Sequence, residues 1–91
     1  MTLSFSHCLL TIEAKYHVQA PSQVLALVTC HNVLPLWFSV RPVGREAIRI
    51  VMELDGFDME AVERMAKRIG DIPSVVGMSR TLMNKRTSIE P

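Results

Sequence analysis

The sequence predicts an α+β fold, a two-layer sandwich in which a four-stranded antiparallel sheet carries two helices on one face. Strand-like and helix-like segments follow one another in the order βαββαβ along 91 residues, and each helical segment has a single apolar stripe. Because each βαβ crossover is right-handed, both helices lie on the same sheet face, which is the ferredoxin-like arrangement. A chain of this length makes one domain. We place it at residues 1–80, with a polar C-terminal tail at 81–91.

The first strand is predicted at residues 4–16, where apolar and polar residues alternate. Its apolar face consists of Cys8, Leu10, Ile12 and Ala14. The first helix starts near Pro21, whose missing N–H costs nothing in a first helical turn. It extends to about Asn32, which can adopt the left-handed conformation that ends a helix. Its apolar stripe consists of Val24, Leu25, Leu27, Val28 and His31.

The second strand is predicted at 36–40, after Pro35 has blocked further helix. Pro42 cannot donate to a strand ladder, so the second strand is placed at a sheet edge. A turn is predicted at 42–45. The third strand is predicted at 47–54 and ends at 55–56. Its inward residues are Ile48, Ile50, Met52 and Leu54, and its outward residues include Arg49 and Glu53.

The second helix has the clearest pattern. Asp58 is a candidate N-cap, and Phe57 before it can pack on Val62 as a hydrophobic staple. Lys67 and Arg68 suit the last turn, and Gly70 ends the helix. Its apolar stripe consists of Val62, Met65, Ala66 and Ile69. A last strand is predicted at 74–80.

The sheet face opposite the helices has a mixed composition. Its predicted apolar residues are Leu9, Trp37, Ala47 and Val51, and its polar residues are Thr11, Glu13, Arg41, Arg49 and Glu53. Such a face is too polar for a second core. It is either a contact surface or a surface with ordinary apolar content.

Composition limits the partners. The net charge is +1, which indicates neither a nucleic-acid partner nor a membrane surface. The basic residues near the C-terminus are Arg80, Lys85 and Arg86. No aromatic residues alternate with them, so they do not form a surface for base stacking. A hydrophobic fraction of 48% favours a homo-oligomer over an unusually rich monomer core. No secretory leader and no apolar run of ~20 residues is found, which predicts a cytoplasmic protein.

Cys8 and Cys30 lack ligand spacing and are expected to be buried, so we predict no metal, cofactor or disulfide.

The loop after the first strand is the candidate site. It leads into a helix N-terminus, whose free N–H groups attract anions such as a carboxylate. His17 and Gln19 alternate with Val18, so their side chains can point the same way and hold a free amino acid. The alternative is that His17 ends the strand in solvent and Gln19 caps the loop.

This loop resembles that of the amino-acid-binding ACT modules, in which the first strand runs into His-x-Asn-x-Pro-Gly and a helix opening Val-Leu. The chain has His17-Val18-Gln19-Ala20-Pro21-Ser22 and then Val24-Leu25. The pattern covers most of residues 5–80 and is also similar to the small regulatory subunits of acetolactate synthase. The resemblance implies a regulatory subunit or sensor, with a branched-chain or other small amino acid held between two protomers. It also implies a biosynthetic catalytic subunit as partner.

Carried over by position, His17 and Gln19 are polar ligand contacts. Ala20, Pro21 and Ser22 form the turn whose N–H groups meet the ligand carboxylate. The chain departs from the family pattern at two positions: Ser22 stands where the family prefers Gly, and Gln23 is an extra residue before the helix. The alternative function is therefore a ligand-free dimerisation or interaction module that uses Trp37 and the second-strand edge.

Other functions of the ferredoxin-like fold fit less well. The loop at 17–22 lacks the Cys pair of a metal chaperone and the Arg of an acylphosphatase-like enzyme. An RNA-binding module needs exposed aromatics on its central strands, and the nearest candidates, Phe5 and Trp37, are not on the third strand. No nucleophile with an adjacent base is visible, so a small hydrolase is the weakest hypothesis and no enzyme activity is predicted.

Overall fold

The computed structural model describes residues 7–55 and 59–83. Six elements follow one another in the order βαββαβ, as predicted. They are β1 (His7–Lys15), α1 (Ala20–Cys30), β2 (Trp37–Val43), β3 (Ala47–Asp55), α2 (Met59–Gly70) and β4 (Val75–Met83). The strands form one sheet in the order β2-β3-β1-β4, and every neighbouring pair is antiparallel. Within the described residues, neither helix is long and apolar enough to cross a bilayer.

The core lies between the sheet and the two helices. Burial alternates along β1 and β3, so that every second residue faces inward. Both helices bury their apolar stripes against these inward residues, which places them on one face of the sheet. The helical residues at 0% exposure are Ala20, Val24, Val28, Val62, Met65 and Ile69. This confirms the two-layer sandwich.

The second strand is longer than predicted. β2 runs from Trp37 to Val43 and therefore includes Pro42, which pairs with Ile48. The predicted turn at 42–45 is wrong, because the hairpin loop consists of residues 44–46 and Gly44 within it has φ 73°. The edge position that Pro42 predicts is confirmed, since β2 is the outermost strand of the sheet. A proline is tolerated there because one side of the strand has no ladder to complete.

Two other predicted boundaries change. β4 continues to Met83, three residues into the segment assigned to the polar tail, because it pairs with β1 as far as His7. Helix α1 ends at Cys30 rather than near Asn32. Asn32 follows with φ 61°, the left-handed conformation predicted for it.

The two cysteines differ in burial. Cys8 is buried, as predicted, but Cys30 is exposed, so the prediction of two buried cysteines is wrong for Cys30. Cys30 is the last residue of α1 and lies outside the stripe of α1 residues that contact the core. Several predicted features lie outside the described residues. They are residues 4–6 of the first strand, Gly56, Phe57, Asp58, Lys85 and Arg86.

The face of the sheet that points away from the helices is called the outer face below. Glu53 of β3 is central to it, since its carboxylate accepts a hydrogen bond from Trp37 Nε1 and contacts His7 Nε2. These contacts connect three neighbouring strands. Further along the same face, Arg49 pairs with Glu13 across β3 and β1, at 2.9 Å from Nη2 and 3.0 Å from Nε.

Candidate functional site

The loop between β1 and α1 is held in place by backbone hydrogen bonds. The N–H of Tyr16 donates to the carbonyl of Glu46 at 2.9 Å, which ties the loop to the β2–β3 hairpin. The N–H of Lys15 donates to the carbonyl of Ser74 at 2.8 Å. Both bonds lie at the end of β1. The exposed loop side chains are therefore presented from a fixed backbone.

His17 has one ring nitrogen engaged by the loop. The N–H of Gln19 donates to His17 Nδ1 at 3.2 Å. Because Nδ1 accepts this bond, the hydrogen of a neutral imidazole is on Nε2. The ring therefore has one donor left for a ligand or water.

The first turn of α1 uses several of its own donors. The N–H of Ala20 donates to the carbonyl of His17, and that of Gln23 donates to the carbonyl of Gln19, each at 3.0 Å. Pro21 has no N–H, and the Ser22 hydroxyl donates to the Gln19 carbonyl at 3.2 Å. The helix N-terminus therefore has fewer free donors for an anion than the sequence suggests.

A groove of about 230 Å³ lies beside this loop. It is bounded by the loop, the first turn of α1 and the inward side of β2 and β3. Its lining is apolar except for the polar groups of His17 and Tyr16. The lining residues are Tyr16, His17, Val18, Pro21, Val40, Pro42 and Ile48. With no carboxylate or cation among them, the groove suits a small ligand with an apolar part.

The groove contains part of the predicted site. His17 and Pro21 line it, whereas Gln19, Ala20 and Ser22 do not. Ala20 is fully buried in the core. Gln19 occupies the N-cap position, and its side chain makes no capping hydrogen bond. The interpretation that His17 and Gln19 point to one ligand thus has geometric support for His17 alone.

Five lining residues were not predicted from the sequence. Val40 and Pro42 alternate along β2, and each pairs with an inward residue of β3, Ile50 and Ile48 respectively. That alternation is visible in the sequence, but the predicted strand ended at 40. Tyr16 and Val18 are exposed, at 64% and 85%, and no periodicity marks exposed loop residues as functional.

The groove borders an open, apolar sheet edge. Trp37, Val40 and Val43 of β2 are 44%, 42% and 37% exposed. Leu34 and Leu36, just before the strand, are exposed as well, at 78% and 57%. Large apolar side chains left exposed along an unpaired strand are typical of an interaction surface.

No constellation for metal chemistry is present in residues 7–55 and 59–83, where no group of three or more His, Cys, Asp and Glu could hold a metal ion. Cys30 and His31 are neighbours at the end of α1. His31 Nδ1 lies 3.0 Å from the carbonyl of Leu27, so this ring nitrogen is engaged by its own helix.

No family model matches the sequence, and no curated protein matches it. Solved structures do share its fold. The ACT domain of GTP pyrophosphokinase from Chlorobium tepidum is similar with a TM-score of 0.73 at 5% identity, over 86% of this chain and 100% of that one. The C-terminal domain of MgtC from Mycobacterium tuberculosis gives 0.73 at 14% identity, over 99% of both chains.

The regulatory subunit of aspartate kinase from Thermus thermophilus is also similar, with a TM-score of 0.61 at 11% identity, over 88% of this chain and 53% of that one. At such identities the likeness concerns the fold. The ACT-like fold predicted from the loop and the element order is confirmed. The resemblance to acetolactate synthase subunits stays a prediction, since fold alone does not carry function.

Proposed function

We propose that this chain is a regulatory module that binds a small amino acid in the groove beside the β1–α1 loop. The observation that carries the proposal is the position of the groove, which lies between His17 and the open edge strand β2. The fold is that of regulatory ACT domains such as those named above. The proposed action is binding rather than catalysis.

The lining indicates the chemistry of the effector. Val40 and Ile48 offer an apolar wall for an aliphatic side chain, and His17 can donate from Nε2 to a carboxylate oxygen. Gln19 does not line the groove, and it is kept as a second polar contact on the family pattern, since its amide makes no capping hydrogen bond. A branched-chain amino acid, or another small apolar one, meets these requirements.

Assembly is the second part of the proposal. A second copy that pairs along β2 buries the exposed side chains of Trp37, Val40 and Val43 and satisfies the unpaired backbone groups of the edge. It also covers the groove, because Val40 belongs to both surfaces. We therefore propose a homo-oligomer through the sheet edge, in which ligand binding and assembly stabilise each other.

The regulated partner is proposed from the sequence resemblance. The loop motif is similar to that of acetolactate synthase regulatory subunits, so the partner is the catalytic subunit of an amino-acid biosynthetic enzyme of that kind. An effector changes the activity of such an enzyme only if it binds two states of the assembly with different affinity. A shift of the two copies relative to each other changes how the groove is covered. The effector then binds the two states of the assembly with different affinity.

The test is a thermal-shift panel of the free amino acids on the purified chain, with light scattering on the same sample. A ligand that binds only the native state raises its stability by mass action, by about 2.7 kcal/mol at one hundred times its Kd. We expect selective stabilisation of an oligomer by aliphatic amino acids. His17→Ala should remove the response, and His31→Ala, at the other end of the same helix, should keep it.

The second candidate is a ligand-free interaction module with the same fold. The apolar row on β2 and before it favours this function independently of the groove. A stable oligomer that none of the free amino acids stabilises would support the ligand-free interaction module and would rule out the effector role. A panel response that survives His17→Ala would instead place the ligand elsewhere on the domain.

A further inference from the structure

The outer face has an acidic end and a basic end. At one end, Glu53 and Asp55 of β3 lie beside His7 of β1, whose Nδ1 is 3.6 Å from the Asp55 carboxylate. Both carboxylates keep part of their surface exposed, at 20% and 24%. This end therefore presents two carboxylates beside one imidazole.

The opposite end of the same face is basic. Arg41 of β2 lies directly across from Arg49 of β3. Glu13 pairs with Arg49, but Arg41 and Lys15 have no carboxylate within 4 Å in the described part of the chain. Like charges opposite each other on neighbouring strands are destabilising unless a partner offsets them. Arg41 therefore lies opposite a second cation and has no carboxylate partner among the described residues.

Small and apolar side chains separate the two ends. Val51 lies midway between Glu53 and Arg49 on β3, and it pairs with Ser39 on one side and Thr11 on the other. Four residues of strand place the carboxylate and the guanidinium about 13 Å apart along the sheet. The centre has no charge to desolvate, so a second flat surface can approach it closely.

This layout is complementary to itself in one orientation. A twofold axis that passes above Val51, midway between the two stacked sheets, parallel to them and perpendicular to the strands, brings each acidic end over the basic end of the second copy. Glu53 then faces the partner's Arg49, and Trp37 faces the partner's Arg41, where the guanidinium can stack on the indole. A twofold axis along the strands would instead place like charges on each other.

We propose that the outer face binds the outer face of a second copy of this chain in this antiparallel orientation. Symmetric, self-complementary surfaces are the usual route to dimers. The face is about 14 Å across its four strands, which is small for a stable interface. The association is accordingly weak and dependent on concentration. It differs from pairing through the backbone edge of β2, although Trp37 takes part in both contacts.

Sedimentation velocity over a range of concentrations tests the proposal. Glu53→Arg alone and Arg49→Glu alone should each lose the concentration-dependent step, because each variant places like charges over each other. An equal mixture of the two should regain that step, because every contact in the mixed pair is again between opposite charges. Added salt should weaken the step in the wild type. Arg64→Glu, on the exposed side of α2, is the matched control and should leave it unchanged.

Glu53→Arg also removes the contacts with Trp37 and His7 and can lower stability. Arg41→Glu breaks no contact in the described structure and provides a second test of the basic end, with the same expected loss. Folded variants whose mixture fails to associate would overturn the proposal, as would a wild-type chain without a salt-sensitive step. The response to the effector and the outer-face contact can be tested separately. The outer-face variants should keep the thermal-shift response to amino acids, and His17→Ala should keep the salt-sensitive association.

Discussion

The carboxylate of Glu53 accepts a hydrogen bond from the indole Nε1 of Trp37, at 2.5 Å, across the β2–β3 pair. Trp37 and Glu53 are also direct partners in the strand register. The bond therefore fixes the indole of a 44% exposed tryptophan against the sheet at the start of the edge strand. It also connects β2 to β1, because the same carboxylate contacts His7.

Trp37 is the only tryptophan of the chain, which makes this contact directly measurable. Glu53→Ala should shift the fluorescence emission maximum to longer wavelength, because the indole loses its partner and becomes more hydrated. It should also lower the free energy of unfolding by about 1 kcal/mol, since a hydrogen bond to a charged group at a partly exposed site is worth about that much.

Glu53→Gln serves as the control, since its amide oxygen can still accept from the indole. We expect an emission maximum close to that of the wild type and a smaller loss of stability. An unchanged emission maximum in Glu53→Ala would show that the indole is held by its packing and not by the carboxylate.

The two thiols should react at very different rates. Cys30 is exposed at the end of α1, whereas Cys8 is buried in the core. A thiol reagent such as DTNB should modify one thiol per native chain quickly. The second should react only as fast as the native structure opens, because buried groups exchange through unfolding. Cys30→Ser should remove the fast phase and Cys8→Ala the slow one, and two fast thiols would contradict the described core.

Most of the fold could be predicted because its elements depend on local periodicity. Alternation identifies the inward residues of β1 and β3, such as Leu10 and Ile50, and both are fully buried. The ends of the strands were harder to predict. β2 includes Pro42 because Ile48 of β3, on the other side of the hairpin loop, is available to pair with it. The alternation along one strand does not show how far such pairing extends.

The candidate site was only partly predictable for the same reason. The loop motif indicates His17, but the wall opposite it comes from Val40 and Ile48, more than twenty residues further along the chain. Cys30 shows another limit. A small apolar residue at the end of a helix can face the core or the solvent, and the direction depends on where the helix packs.

Alkaline pH should weaken the fold through Cys8. Burial raises the pKa of its thiol above the ordinary value of 9.0, although the charge of Arg80 and a backbone hydrogen bond at Thr81 partly oppose this. Because the unfolded chain ionises first, Cys8 contributes stability that is fully present below about pH 9. That contribution is lost as the pH rises through the folded-state pKa.

The check is to measure unfolding free energies of the wild type and of Cys8→Ala between about pH 8 and about pH 10.5, a range of about 2.5 units that includes the ordinary thiol pKa. The wild type should be the more stable at pH 8, by about 1 kcal/mol for the buried sulfur. The gap should narrow as the pH rises. Cys30→Ala should follow the wild type at every pH, and a constant gap for Cys8→Ala would refute the role of ionisation.

The hairpin between β2 and β3 depends on the backbone conformation of Gly44. Its φ is 73°, and an added Cβ would meet nothing within 4 Å. Any cost of Gly44→Ala therefore comes from the left-handed backbone and not from a clash, and it should be about 1 kcal/mol.

Gly77 of β4 also has open space around a Cβ but lacks a positive φ. Gly77→Ala should be neutral or stabilising by about 0.5 kcal/mol, because alanine restricts the unfolded chain. Denaturant unfolding of both variants measures the difference, and equal losses at the two glycines would show that the left-handed turn at Gly44 is not what the hairpin requires.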